Sequence, residues 1–316
     1  MSRAIVFAYH NVGVRCLSVL LAHGVDVACV VTHTDNPAET IWFDSVAELA
    51  ARHGIPVITP EDPNAANVVA ELSALRPEFL FSFYYRLMLK APLLALPPQG
   101  AWNMHGSLLP RYRGRVPVNW AIIHGERETG ATLHRMLEKP DAGEIVAQQA
   151  VPILPDDTAF DVFNKVTLAA ELALDGVLPD LLAGCAQARP QDLAAGSYFG
   201  GRRAEDGRIH WSRPASEVHN LIRAVAPPYP GAFADTTQGR LRVLRSLHPT
   251  GKAGPFSGHP TLFVDDDKLY AECGDGQVLR LLAVELQGLP LLSSQATLTA
   301  GDQLNAIFGT PALPLT

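Results

Sequence analysis

Ala4-Ile5-Val6-Phe7-Ala8 and Phe79-Leu80-Phe81-Ser82-Phe83 are short, nearly uninterrupted apolar runs. Runs of this length with no polar alternation read as strands buried on both faces. Between them, Leu17, Leu20 and Leu21 recur at helical spacing and Gly24 closes the segment. Val27 to Val31 is a second strand, and Val46, Leu49 and Ala50 mark a helix that ends near Gly54. Pro56-Val57-Ile58 resumes an extended path, and Val68, Leu72 and Leu75 form another helical stripe. Ala101 to His105 follows as a further strand. Strand and helix in alternation predict an α/β unit, a Rossmann-like, mainly parallel sheet with helices on both faces. Such sheets bind ligands at the carboxyl ends of their strands. In this chain those ends carry Tyr9-His10-Asn11, Thr32 to Asp35, Tyr84-Tyr85-Arg86 and Asn103 to Ser107.

Farther along, Thr158 and Asp161 have the spacing of a helix cap. Phe160, Phe163, Val166, Ala170, Leu174 and Val177 form the apolar stripe expected of the helix behind it. Periodicity fades between Gln187 and Asp206, so the domain boundary is placed there. A helix over residues 217–226 is then followed by strand-like runs at 241–247, 261–264, 268–272 and 277–285. Asp265-Asp266-Asp267 and Gly274-Asp275-Gly276 are turn signals between these runs. They suggest a small β-barrel or sandwich, taken as an OB-like barrel. The expected organisation is a catalytic domain over 1–200 and a smaller C-terminal domain over 205–310.

Composition narrows the function. The chain has 316 residues, is 47% hydrophobic and 18% charged, and has a net charge of −7, with no basic stripe of the kind nucleic acid requires. Cys16, Cys29, Cys185 and Cys273 form no CxxC pair and read as buried thiols. There is no apolar stretch of membrane-spanning length and no leader-like start, so a cytoplasmic protein without a membrane span is expected. The segment after the first strand has one glycine where the dinucleotide fingerprint needs three. No phosphate-binding P-loop or Gly-x-Ser-x-Gly elbow is present.

The chemistry concentrates in Asn103-Met104-His105-Gly106-Ser107-Leu108-Leu109-Pro110-Arg111-Tyr112-Arg113-Gly114 and in Lys139-Pro140-Asp141-Ala142-Gly143-Glu144. Asn103 and His105 are two apart in a strand and share a face. An Asn amide can donate to a developing oxyanion, and an imidazole can carry a proton near neutral pH. The turn holding Asp141 lies between the strand-like runs 132–136 and 145–151, which would bring its carboxylate back to the same sheet edge. Together the three groups suit acyl transfer to an amine with no side-chain nucleophile. Taken singly, Asn-x-His at a strand end is more often a structural pair, and an Asp in a turn is more often a turn former.

The joined pattern, Asn-x-His-Gly-Ser-Leu-Leu-Pro-x-Tyr-Arg-Gly followed by Asp-Ala-Gly-Glu, resembles the 10-formyltetrahydrofolate-dependent formyltransferases. Phe7 to His10, Thr32 to Pro37, Phe81 to Arg86, Thr132 to Met136 and Phe199 to Arg203 look like one branch of that family. This branch is the formyltransferase half of the bifunctional polymyxin-resistance enzyme, and the likeness runs from residue 4 to about 235. The resemblance implies transfer of a formyl group from 10-formyltetrahydrofolate to a sugar nucleotide, UDP-4-amino-4-deoxy-L-arabinose, in lipid A modification. It implies that His105 moves the proton, Asn103 holds the tetrahedral intermediate and Asp141 orients His105. Leu87, Met88 and Leu89 match a segment lining the folate pocket, largely through its backbone. Arg115 and the stretch Leu137, Glu138, Lys139 and Pro140 match further folate contacts, although that stretch is not a letter-for-letter match. No metal is implied. At this length the chain is expected to lack the dehydrogenase–decarboxylase domain of the bifunctional enzyme.

Two other acceptors stay open. One is another nucleotide-linked amino sugar. The other is methionyl-tRNA, although where that relative carries a basic insertion this chain has the short, acidic Thr34 to Thr40. A binding module that kept the fold without the chemistry is a different class, against which the intact Asn103, His105 and Asp141 count. His10 and His33 are candidate substrate contacts, Arg202 and Arg203 are candidate diphosphate ligands, and Trp42, Trp120 and Trp211 are read as packing residues. His219 and Arg223, four apart on one helix, read as a surface pair.

Overall fold

The computed structural model describes residues 2–236, 239–254, 260–266 and 268–291. They form two compact units. One is Met1–Pro117, Glu128–Pro152 and Phe163–Gly200; the other is Val118–Arg127, Ile153–Val162 and the described residues of Gly201–Thr316. The expected end of the second domain, at 310, lies outside the described residues.

In the first unit, β1 (Arg3–Ala8), β2 (Asp26–Val31), β3 (Val57–Ile58), β4 (Phe79–Phe83) and β5 (Ala101–His105) run parallel in the order β3-β2-β1-β4-β5. A short β6 (Arg113–Gly114) leaves this sheet, and β7 (Glu128–Arg135) and β8 (Ile145–Pro152) rejoin it antiparallel beside β5. β9 (Tyr198–Phe199) pairs with β6 in parallel. Helices lie on both faces of the mixed sheet. They include α1 (His10–Ala22), α2 (Val46–Arg52), α3 (Ala66–Ala74) and α4 (Ala91–Leu94). Ile5 and Phe7 point to the face where Val68, Leu72 and Leu93 pack, as strand alternation requires. Phe79, Phe81 and Phe83 are fully buried and stack in sequence along β4. Each such ring stabilises the fold by roughly 1.5–3 kcal/mol.

Most of α5 (Pro117–Ile123) belongs to the second unit, whereas most of α6 (Ala159–Leu182) belongs to the first. The predicted cap of α6 is present: Thr158 Oγ1 accepts from Asp161 N, and Asp161 Oδ2 accepts from Thr158 N. The middle of the expected stripe, Phe163, Val166, Ala170 and Leu174, is buried, with Val162, Ala169, Ala173 and Leu178 beside it, while at its ends Phe160 is 36% exposed and Val177 is partly exposed. Cys185 also departs from expectation: it is exposed, whereas the other three cysteines are buried.

In the second unit, α7 (Ala215–Ala224) packs against an antiparallel sheet. Its strands are β10 (Ala232–Thr236), β11 (Gly239–Leu247), β12 (Thr261–Asp265), β13 (Lys268–Glu272), β14 (Val278–Leu286) and β15 (Leu289–Pro290), ordered β10-β11-β14-β13-β12 with β15 on β14. Ala215, Val218 and Ile222 join Trp211, Leu241 and Val243 in its core. His219 and Arg223 are not a surface pair but are buried there. His219 lies 2.9 Å from Ser246 Oγ and 3.1 Å from Pro155 O, and Arg223 donates to Leu154 O and Asp157 O. They tie the helix to the backbone carbonyls of residues 154–157. Burial lowers the His219 pKa. No helix among the described residues is long and apolar enough to cross a membrane.

Candidate active site

The site stands at the carboxyl end of β5, where that strand meets the antiparallel β7. The register sets Asn103 opposite His134 and His105 opposite Thr132, so four polar side chains share one face of the sheet. Thr132 anchors the loop leaving β5, donating to Ser107 O and accepting from Leu109 N. That loop turns back so that Tyr112 O lies 2.8 Å from His105 Nε2. The other ring nitrogen of His105, Nδ1, lies 3.5 Å from Asp141 Oδ1. Each ring nitrogen therefore faces an oxygen acceptor.

Asp141 arrives from the β7–β8 connection in a left-handed conformation, φ 50°. That conformation costs a non-glycine residue about 1–2 kcal/mol, and Asp is among the few residues that visit it routinely. Several contacts hold it there. Its Oδ2 accepts from Gly114 N at 2.8 Å, and its carbonyl accepts from Gln191 Nε2 at 3.1 Å. Gln191 also donates to Gly143 O at 2.6 Å. Gly143 itself lies so close to the strand that a Cβ would overlap Arg135 O. Burial alone would raise the Asp141 pKa. The charge of His105 first, with the neighbouring His134 ring and the hydrogen bond from Gly114 N, outweighs it and holds the carboxyl well below the usual range.

His134 is the residue that sequence reasoning missed. Its Nε2 lies 3.2 Å from Asn103 Nδ2 and 3.5 Å from Asp141 Oδ1. Its Nδ1 lies 2.8 Å from Arg135 O. The signal in the sequence is the pair Thr132-x-His134, two polar residues on one strand face, and only the pairing with β5 makes it meaningful. Gln191 left no signal of its own, since it lies in a segment without periodicity.

The remaining sequence-predicted positions divide. Leu87 and Met88 are 40% and 54% exposed and Leu137 is 49% exposed, while Leu89 is buried in the sheet core. Asn64 pins this segment, donating to Met88 O and accepting from Lys90 N. Arg115 is exposed and donates its backbone N–H to Phe199 O, and Glu138 and Lys139 are exposed while Pro140 is partly so. His10 stacks on Phe43 at 4.0 Å and meets Trp42 and Phe163 edge-on. Burial and the Arg86 charge bring its pKa down to about 3. His33 stacks on Tyr85 and accepts from Arg86 N; burial and Arg86 bring it down to about 4. Both rings are therefore neutral near neutral pH. Tyr9 donates to Asp35 Oδ1 at 2.6 Å beneath the Arg86 guanidinium. The ends of β1, β2 and β4 thus carry an aromatic surface. Tyr84 closes it, with its hydroxyl where a Cβ on Gly106 would sit. In the second unit, Arg202 stacks on Trp120 at 4.8 Å. Among the described residues no cluster of three or more His, Cys, Asp or Glu side chains could hold a metal ion.

Comparison with known proteins adds a family. Residues 15–178 match the model of the formyl transferase family, and residues 202–300 match that of the formyl transferase C-terminal domain. One similar solved structure is WlaRD, a sugar 3N-formyl transferase determined in the presence of dTDP and 5-N-formyl-THF. It is 20% identical, with 89% of this chain and 97% of that one covered and a TM-score of 0.67. Another is an N-formyltransferase from Helicobacter canadensis in complex with folinic acid and dTDP-3-aminofucose, at 21% identity, 89% and 99% coverage and a TM-score of 0.66. HypX from Aquifex aeolicus, in complex with tetrahydrofolic acid, is 17% identical and covers 94% of this chain and 46% of its own, with a TM-score of 0.61. At these identities the likeness speaks for a shared fold.

Proposed function

Because the chain belongs to the formyl transferase family, we propose that it moves a formyl group from 10-formyltetrahydrofolate to the amine of a nucleotide-linked amino sugar. The observation that carries this reading is the meeting of Asn103, His105 and Asp141 from β5 and the β7–β8 loop, with every group within hydrogen-bonding or ion-pair reach of a neighbour. The amine attacks the formyl carbon, a new C–N bond forms, and Asn103 donates to the oxyanion. His105 takes a proton from the attacking nitrogen and delivers one to N10 as the bond from carbon to N10 breaks. For this, Nε2 exchanges its Tyr112 carbonyl contact for the reacting groups. Asp141 keeps the ring oriented throughout.

The exposed apolar side chains Leu87, Met88 and Leu137 suit a flat pterin ring, and the pinned backbone beside Met88 suits its polar edge. Leu89 contributes only backbone, since its side chain is in the core. Arg115, Glu138, Lys139 and Pro140 are assigned to the same folate surface. The segments Phe7 to His10, Thr32 to Pro37 and Phe81 to Arg86 support UDP-4-amino-4-deoxy-L-arabinose as the acceptor, and with it lipid A modification in the cytoplasm. The dTDP and dTDP-3-aminofucose of two similar structures favour a dTDP-linked 3-amino sugar as the second reading.

The test is an acceptor panel assayed for N-formyl product by mass spectrometry, with 10-formyltetrahydrofolate as donor. It should include both amino sugars, glycinamide ribonucleotide and methionyl-tRNA. Formylation of a sugar nucleotide is expected. Transfer to methionyl-tRNA alone would overturn the proposal.

A further inference from the structure

We infer that His134 is a positioning residue that sets the Asn103 amide and leaves Asp141 to His105. The inference rests on the formyl-transfer reading above and concerns how the oxyanion donor is held ready.

The argument begins with Nδ1. It faces Arg135 O at 2.8 Å, and a carbonyl can only accept, so Nδ1 carries the hydrogen. In the neutral ring Nε2 is then a lone pair. The group facing it at 3.2 Å is the Asn103 amide, which must present its NH2 side to such a neighbour. One Asn103 N–H is engaged by the ring, and the other is aimed away from it in a fixed plane. An isolated Asn amide has no such preference, because its two ends are nearly alike in shape. The imidazole is therefore what makes the donor a donor rather than an acceptor half of the time.

The same nitrogen also bears on Asp141. Oδ1 of Asp141 lies 3.5 Å from His134 Nε2 and 3.5 Å from His105 Nδ1, so one oxygen serves two rings. Asp141, from the β7–β8 loop, and His105 on β5, through it, are the titratable groups that face His134; Asn103 is uncharged. With a second proton, His134 would have an N–H at Nε2. That N–H would compete for the oxygen that orients His105, and it would favour Asn103 with its carbonyl turned inward. Both effects remove function without unfolding anything. The ring is 2% exposed and lies in the middle of the β5–β7 ladder, so solvent cannot supply a substitute partner.

Two substitutions and one spectrum test this. His134→Phe keeps the ring volume but removes both nitrogens; His134→Gln returns an acceptor oxygen without a titrating group. His134→Phe should lower kcat by about 10- to 100-fold, less than the roughly 10²–10³ that follows loss of an oxyanion donor itself, with KM for both substrates little changed. His134→Gln should recover most of that loss. In an Asn103→Ala background His134→Phe should add little further loss, because the group it positions is gone. Independent, additive losses would overturn the inference, as would no rescue by Gln in a variant with a normal thermal midpoint. Nitrogen NMR of the imidazoles in the substrate-free wild type gives an arm that needs no activity. His134 should show Nδ1 protonated and Nε2 bare near neutral pH. The inverted tautomer, or a doubly protonated ring, overturns the inference and leaves the proposed transfer untouched. Absence of transfer to any acceptor removes the functional reading and leaves the spectrum to decide this one.

Discussion

Gln191 donates through one side-chain amide nitrogen to the carbonyl of Asp141, fifty positions earlier in the chain. The contact ties the segment following α6 to the turn that delivers the carboxylate. Substituting Gln191 with Ala leaves two partly buried carbonyls without this donor, at a cost of up to about 1–3 kcal/mol, and loosens the Asp141 turn. Because misplacing a reacting group by about 1 Å can cost roughly 10²-fold, kcat should fall by at least about tenfold. Denaturation curves together with steady-state rates check this; unchanged turnover would mean that the other contacts suffice to hold Asp141.

Asn103→Ala should lower kcat by about 10²–10³. His105→Ala should abolish most turnover while the circular dichroism spectrum and thermal midpoint stay near those of the wild type. Near-normal turnover in the second variant would remove His105 from proton transfer.

The depressed Asp141 carboxyl makes a prediction about acid stability. A carboxyl whose folded pKa lies below its unfolded value, about 3.9, stabilises the native state fully above that pH. The contribution is lost as pH falls toward the folded value. The gap in thermal midpoint between wild type and Asp141→Asn should therefore be wide near neutral pH and narrow below about pH 4. A gap independent of pH would mean that the charge of Asp141 contributes nothing to the native state.

Gly143→Ala places a methyl group where Arg135 O already stands. The turn must shift, at a cost of about 1–3 kcal/mol, and Asp141 shifts with it. Denaturant midpoint and kcat should both decline; a variant as stable as wild type would show that the turn tolerates the displacement.

Leu87→Asp and Met88→Asp probe the proposed folate surface. Both side chains are substantially exposed, so the fold should keep its thermal midpoint. Affinity for folinic acid should drop by about tenfold, the equivalent of one lost apolar contact near 1.4 kcal/mol. Calorimetric titration gives the answer, and equal affinities would move the folate elsewhere on the molecule.

Much of the fold was legible because its signals are local. The buried runs at β1, β2, β4 and β5, the cap at Thr158 and Asp161, and the alternating strands of the second unit each follow from a few neighbouring side chains. The α6 stripe departs from the structure only at its ends, Phe160 and Val177, because tertiary packing and not periodicity decides where burial stops. His219 and Arg223 were read as surface residues because their partners, Ser246 and the carbonyls of residues 154–157, lie far away in sequence. Cys185 was read as buried from apolar neighbours that turn out to be near a helix end.

The site divides along the same line. Sequence alone determined that Asn103 and His105 share a strand face and that Asp141 sits in a turn, since two-residue periodicity and turn chemistry are properties of the backbone nearby. Tertiary structure decided that this turn folds back onto β5. It decided that β7 pairs antiparallel in the register that sets His134 against Asn103, and that Gln191 closes the arrangement from beyond α6. Register and loop return depend on contacts between segments tens of residues apart. No local pattern encodes such contacts; the packed sheet selects them by burying one set of faces and satisfying one set of hydrogen bonds.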